Sequence, residues 1–491
     1  MVQKLRELLF QNRSVRQTVV KNTIWLSVSQ MGGRLIRASI IIYAARVLGA
    51  SEYGVFSYVL GLAGFFTIFA DVGITSILTR EIAKRPEEGT RYFATIFWMK
   101  IVLLILTALA VIFLAPHFSK IDAAVPLIPF VAILAIADGL REFSNAFFRA
   151  KEKMELEALV TAVTNVAITA AGFVILSYYT TAGALTASYV VSAAVGALAG
   201  MFILRREFAS IVRSFSPELV RPVLRAAVPI ALIALFGALS LNVDLIMLGW
   251  WRTASEVGFY SAAQKIVQVL YTVPAIIASS IFPALSRLIG QREEEKEKIL
   301  VERSLGILFL LAMPIVVGGV VLASPIIALL YGDGYTPSTI VFQALLVTTL
   351  FIFPGTFFGN LVFAHNEHKK LAPAVLGVSL INVALNTLLI PLYGIVGAAV
   401  ATIVTQFSYN TFMWWRSRRI LEFKVIAHLS RITMAALMMG VATFGLNLLG
   451  IPVLFTIAAG ALIYFIALHL FQETLLEELL SIVRKREASA I

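Results

Sequence analysis

The chain has 491 residues, of which 59% are hydrophobic and 14% charged, and its formal net charge is +12. Ordinary globular domains carry roughly 25% charged residues, so this composition excludes a soluble protein. Cysteine is absent, which excludes disulfides, thiol nucleophiles and cysteine metal sites, and the five histidines are scattered, so no metal site is predicted.

The first predicted element covers residues 1–21, where apolar side chains alternate with basic ones and indicate an amphipathic helix at a membrane interface. Apolar runs of about 20 residues, the length that crosses a bilayer, then recur along the whole chain. We number fourteen such spans in chain order: 22–48, 53–79, 92–114, 123–147, 157–178, 182–204, 225–250, 257–285, 301–323, 338–363, 371–391, 395–415, 429–449 and 451–471. The predicted fold class is therefore an all-α, polytopic membrane protein with fourteen transmembrane helices.

Basic residues fall on alternate sides of these spans. Of the 40 Lys and Arg residues, 32 lie in the N-terminal segment, the even-numbered gaps and the C-terminal tail, whereas Arg46, Lys120 and Arg252 lie on the opposite face. The positive-inside rule therefore predicts a multi-pass protein of the cytoplasmic membrane with both termini in the cytoplasm. Because the alternation accounts for the positive charge, nucleic acid is not a predicted partner.

An octet is repeated after spans 1 and 7. Residues 50–57 read ASEYGVFS, and residues 254–261 read ASEVGFYS. Six spans separate the copies, so the two halves run parallel, as in transporters whose repeats are related by an axis along the membrane normal. We predict the following domains: interfacial segment 1–21, N-lobe 22–204, basic linker 205–224, C-lobe 225–415, second basic linker 416–428, spans 13 and 14 within 429–471, and cytoplasmic tail 472–491.

Nine ionisable residues stand out deep inside predicted spans, where a charge costs at least about 2.5–3.5 kcal/mol. Arg34 and Arg37 of span 1 are three residues apart and therefore share a helical face. Because the guanidinium fork matches phosphate oxygens, we predict that they bind a phosphate group. The alternative is a structural ion pair with Asp71 and another acid.

The other charged positions leave similar alternatives open. Asp71 in span 2 and Lys100 in span 3 lie at one depth, and either is able to pair with span 1. Asp244 in span 7 and Lys265 in span 8 also lie at one depth, which favours either a direct ion pair or a pair opened by substrate.

Span 4 carries a polar stripe on one helical face. It consists of Asp138, Arg141, Glu142, Asn145 and Arg149. This stripe is either the wall of a hydrophilic cavity or a ladder of internal pairs. We take Arg34, Arg37, Lys100, Arg141 and Lys265 as candidate substrate-binding residues, and Asp71, Asp138, Glu142 and Asp244 as candidate coupling or ion-pair residues.

Three motifs carry a family resemblance: GASEYGVFSY at 49–58, DLIMLG at 244–249 and VGFYSAAQKI at 257–266. With the fourteen spans, they make residues 20–471 resemble the polysaccharide transporters, or Wzx-type flippases, of the multidrug/oligosaccharidyl-lipid/polysaccharide flippase superfamily. The resemblance implies a MATE-like fold with two six-helix lobes and two C-terminal helices, alternating access around a cationic cavity. Arg34 and Arg37 match the arginines expected on the first helix.

The resemblance also implies a function. Such proteins move polyprenyl-(pyro)phosphate-linked oligosaccharides to the outer leaflet for cell-surface polysaccharide or glycan biosynthesis, so a transporter is expected and not an enzyme. Expected partners are the lipid-linked oligosaccharide, membrane lipids, and a glycan polymerase or glycosyltransferases, with the monomer as the functional unit. No cofactor is expected beyond a coupling ion, H⁺ or Na⁺. The alternatives are a lipid II flippase and a MATE-type, cation-coupled multidrug exporter.

Overall fold

The computed structural model describes residues 15–367, 371–424, 426–473 and 475. Over these ranges the chain is helical and contains no β-strand. The helices are α1 Val15–Phe66, α2 Ile74–Lys84, α3 Gly89–Leu114, α4 Ile128–Ala150, α5 Met154–Tyr178, α6 Ala182–Ile203, α7 Pro217–Trp251, α8 Ala254–Leu270, α9 Thr272–Gln291, α10 Glu294–Val321, α11 Ala323–Tyr331, α12 Ser338–Val347, α13 Thr349–Ala364, α14 Leu371–Ile420, α15 Ile426–Leu448 and α16 Val453–Leu470. Most of the predicted interfacial segment and of the predicted tail lies outside the described residues.

The predicted fold class is confirmed by long apolar helices. Among the described residues, eleven stretches are long and apolar enough to cross a membrane. Two helices contain one glycine each with non-helical backbone angles, Gly49 (φ 71°) in α1 and Gly394 (φ 58°) in α14, so each consists of two helices that meet at a kink. Positive φ values favour glycine because it has no Cβ. With these kinks, the helices are consistent with fourteen spans.

Several helices expose large apolar side chains that water would not tolerate as one continuous face. On α3 the exposed set is Trp98, Val102, Ile105, Leu106, Leu109, Ile112, Phe113 and Leu114. An exposed apolar face of this extent needs a nonaqueous cover, and lipid supplies one. The exposed apolar residues of α3 therefore contact lipid and not the protein core.

Span 2 differs from the sequence prediction because it is not one helix. α1 ends at Phe66, a turn follows, and α2 begins only at Ile74. Val72 (φ 45°) and Gly73 (φ 76°) both have positive φ within this turn. For a β-branched residue such as Val72 this conformation is unusual, so the surrounding packing must hold it. Spans 8 and 10 are likewise divided, at Tyr271 and Thr348, and α11 is a short helix that the sequence did not predict.

The described residues form two compact units, one ending at Ser261 and the other beginning at Ala262. In the first unit, aromatic side chains of α3 and α4 form part of the core, with the Phe93 ring centroid 5.3 Å from that of Phe143 and 5.0 Å from that of Phe147. In the second unit, buried Leu308 of α10 and Phe357 of α13 belong to one hydrophobic cluster. The predicted lobe boundary at 205–224 rests on the sequence repeat and stays a prediction.

The two repeated octets pack against each other inside the first unit. A Cβ atom built on Gly54 would lie 1.7 Å from the carbonyl oxygen of Ala254, and one built on Gly258 would lie 2.0 Å from the carbonyl oxygen of Ala50. The contact is reciprocal, because each copy places its glycine on the first alanine of the other. The repeat thus keeps glycine at these positions since any side chain would collide with main chain.

Substituting Gly54 with alanine is expected to lower the free energy of unfolding by about 1–3 kcal/mol, the usual cost of overpacking. The main-chain oxygen that opposes the new methyl group has no rotamer with which to move away. Thermal unfolding of the detergent-solubilised protein measures the effect. Gly237→Ala in α7 is the matched control, because no atom lies within 4 Å of its Cβ position. Equal melting temperatures for the two variants would contradict the close contact.

Candidate functional site

Lys100 and Asp71 form an ion pair in the first unit. The Lys100 Nζ atom lies 2.8 Å from Asp71 Oδ1, and the lysine side chain is 1% exposed. Asp71 also accepts a hydrogen bond from Thr75 Oγ1 at 2.8 Å. Asp71 lies in the turn between α1 and α2, so the helix break brings its carboxylate to α3. The lysine charge is thereby balanced by an acid.

The four charged residues of the polar stripe on α4 all form ion pairs. Arg141 Nη2 lies 2.7 Å from Asp138 Oδ1 on the same helix. Arg149 binds Glu142 at 2.8 Å and receives a second carboxylate from Glu157 of α5, whose two oxygens lie 2.7 and 2.9 Å from Nη2 and Nε. These pairs agree with the ladder that the sequence left as one of two alternatives, and the role of the stripe as a cavity wall stays a prediction. Sequence reasoning missed Glu157, which lies at the start of span 5.

Arg37 is held differently from these basic residues. Its Nη2 atom donates a hydrogen bond of 2.6 Å to Oδ1 of Asn165 on α5. Within the described part of the chain, no carboxylate lies within 4.0 Å of Arg37. An amide orients a guanidinium but does not neutralise it. Arg37 therefore keeps its positive charge, and Arg34 lies one turn earlier with an exposed side chain.

Asn165 is the second residue that sequence reasoning missed. It is 3% exposed and lies in the middle of an otherwise apolar span. Asn145 was selected because it lies within the charged stripe of span 4, whereas residues 158–178 around Asn165 contain no charged residue. A search for any strongly polar residue in a span would have found it, although its contact with Arg37 depends on the packing of α1 against α5.

Asp244 is buried in the first unit, at 2% exposure, and accepts a hydrogen bond of 2.8 Å from the Tyr260 hydroxyl. The first copy of the repeat has different residues at the positions of this pair. At the octet offset, Asp244 corresponds to Ile40 and Tyr260 to Phe56, and both apolar counterparts are buried. The second copy thus has a hydrogen-bonded pair at positions where the first copy has two buried apolar residues.

Lys265 belongs to the second unit, where its Nζ atom lies 3.5 Å from Gln268 Oε1. The predicted pairing of Lys265 with Asp244 would join residues of the two units and stays a prediction. A cluster of three or more metal-ligating side chains does not occur among the described residues.

The family model described as polysaccharide biosynthesis protein matches residues 19–289, and a second model, MatE, matches residues 229–392. A relative from Haloferax volcanii named as a low-salt glycan biosynthesis flippase is 24% identical over 403 residues, covering 80% of this chain and 82% of the relative. A relative from Escherichia coli named as an O-antigen transporter is 24% identical over 396 residues, covering 79% of this chain and 93% of the relative.

Solved structures show the same fold. The lipid II flippase MurJ in an inward closed conformation superposes with a TM-score of 0.70 at 17% identity, covering 92% of this chain and 99% of MurJ. An inward-facing multidrug resistance transporter of the MATE family gives a TM-score of 0.63 at 15% identity, covering 79% of this chain and 98% of that transporter. The predicted MATE-like fold is thus confirmed.

Proposed function

Because the chain belongs to the polysaccharide biosynthesis protein family, we propose that it is a flippase that moves a polyprenyl-(pyro)phosphate-linked oligosaccharide across the cytoplasmic membrane by alternating access. Relatives named as a glycan biosynthesis flippase and as an O-antigen transporter support this assignment, as do the apolar helices. The translocated lipid-linked oligosaccharide would supply cell-surface polysaccharide or glycan biosynthesis. This function is transport and needs no chemical step at the protein.

The observation that carries the proposal is the unneutralised charge of Arg37. Lys100 and Arg141 each have a carboxylate partner, whereas Arg37 has the neutral amide of Asn165. A cation at membrane depth gains most from an anionic ligand, and a guanidinium matches the oxygens of a phosphate group. Arg34, on the same helical face, would contact the same headgroup. The substrate phosphate would thus bind at α1.

The paired acids would supply the coupling. Protonation of Asp71 or Asp138 would release its basic partner, Lys100 or Arg141. Transport would then respond to an imposed H⁺ gradient, or to Na⁺ if that ion replaces the proton.

We place both termini in the cytoplasm because of the charge alternation, and we take the monomer as the unit that transports. A glycan polymerase or glycosyltransferases would act before and after it.

Purified protein in liposomes tests the function through substrate selectivity. We expect transfer of a fluorescent polyprenyl-diphosphate oligosaccharide between leaflets, little transfer of the phosphate-free polyprenyl glycoside, and no accumulation of ethidium. Imposed pH or Na⁺ gradients in the same vesicles identify the coupling ion. Equal transfer with and without phosphate would contradict the proposal. Preference for lipid II over other diphosphate-linked sugars would favour the lipid II alternative, and ethidium transport would favour a multidrug exporter.

A further inference from the structure

Helices α1 and α5 form a continuous seam around Arg37. Near the start of both helices, the buried Lys21 Nζ atom lies 3.0 Å from Glu155 Oε2. Further along, Thr169 Oγ1 donates to the carbonyl oxygen of Ile36 at 3.3 Å. Residue numbers rise together along both helices, so α1 and α5 run parallel.

Two glycines allow the helices of this seam to approach closely. A Cβ built on Gly172 would lie 2.7 Å from Ile40 Cγ1, so α1 lies directly against the α5 backbone there. A Cβ built on Gly33 would lie 2.2 Å from Asn165 Nδ2, so the amide of Asn165 occupies the space that a side chain at position 33 would need. The missing side chain of Gly33 and the amide that contacts Arg37 are thus parts of one arrangement.

We propose that Asn165 is a positioning residue for substrate recognition, that Gly33 supplies the space for its amide, and that together they hold the Arg37 guanidinium ready for a phosphate group. This inference rests on the proposed function and names the residues that determine its site. The Asn165 oxygen takes one of the five guanidinium N–H donors and leaves the others for the ligand. An arginine ordered in advance loses less side-chain freedom when the phosphate binds.

The charge of the side chain at position 165, which contacts Arg37, matters as much as its position. An aspartate at position 165 would keep the hydrogen bond and the volume, yet it would neutralise Arg37 and repel an anionic headgroup. An alanine would free the guanidinium but keep its charge. A purely structural role would therefore tolerate aspartate, whereas a role in positioning a charge for phosphate would not.

The experiment compares four variants in liposomes carrying a fluorescent polyprenyl-diphosphate oligosaccharide. We expect Asn165→Ala and Gly33→Ala each to raise KM roughly tenfold, the effect of losing a hydrogen bond to a charged group. Asn165→Asp should lower kcat/KM by at least as much while its melting temperature stays at the wild-type value. Gly32→Ala is the matched control on the adjacent residue, because no atom lies within 4 Å of its Cβ position.

Wild-type transport by Asn165→Asp, or the same KM for Gly33→Ala and Gly32→Ala, would overturn the inference. A transport defect that appears only together with a lowered melting temperature would also overturn it in favour of a structural role. Arg37→Ala in the same assay separates the two proposals. If it transports normally, the phosphate-binding function fails; if it loses transport while the Asn165 and Gly33 variants keep it, only the positioning role fails.

Discussion

Replacing Arg37 with alanine is expected to lower kcat/KM for the lipid-linked oligosaccharide by about 10- to 150-fold, because a charged hydrogen bond contributes about 1.5–3 kcal/mol. Arg37→Lys should give an intermediate value, since it keeps the charge but loses the planar fork that binds two phosphate oxygens. The initial rate of oligosaccharide transfer between leaflets of proteoliposomes measures the effect. Adding Arg34→Ala should lower the rate further, since Arg34 lies one turn from Arg37 on the same helical face.

Arg206→Ala is the control for this series, because Arg206 is an exposed arginine in the segment after α6. We expect it to transport at the wild-type rate. If Arg37→Ala and Arg206→Ala lower the rate equally, total positive charge would explain the result and a phosphate site on α1 would not.

A large loss of stability is expected for Lys100→Met. This substitution removes the buried basic partner of Asp71 and leaves the Asp71 carboxylate without an ion pair. Breaking a buried ion pair costs about 3–5 kcal/mol, and we expect the lower end because the Asp71 side chain is 26% exposed. Thermal unfolding of the detergent-solubilised protein measures the loss. The methionine retains most of the volume of the lysine stem, so the loss of stability would arise mainly from removal of the lysine charge.

A double variant separates the charge effect from a packing defect. Asp71→Asn with Lys100→Met removes both charges, and we expect it to recover most of the lost stability. Lys84→Met, at an exposed lysine at the end of α2, is the matched control and should be neutral. A double variant no more stable than Lys100→Met alone would contradict the pairing.

Much of the fold could be predicted because lipid and water demand different side chains. Apolar runs placed the membrane helices, and the octet repeat located the two helical segments in which Gly54 and Gly258 pack against each other. The break after Phe66 escaped prediction because residues 65–70 are almost entirely apolar, so periodicity gave no sign of it. The Asp71 carboxylate that follows was visible, but its contact with Lys100 depends on the turn that the break creates.

The candidate site could be predicted in part. The cost of a buried charge selected Arg37, Lys100 and Arg141 but did not tell which of them an acid neutralises. The Arg141–Asp138 pair was readable from its three-residue spacing, whereas the partner of Arg37 lies more than a hundred residues away on α5. The roles of all nine charged residues in binding or coupling stay predictions until transport is measured.

The most direct test of the account is the affinity of the purified protein for a polyprenyl diphosphate, compared between wild type and Arg37→Ala by titration in detergent. We predict that Kd rises about 10- to 150-fold in the variant, the equivalent of about 1.5–3 kcal/mol, while Kd for the phosphate-free polyprenol does not change. An unchanged Kd for the diphosphate would contradict the claim that α1 recognises the phosphate group of the substrate.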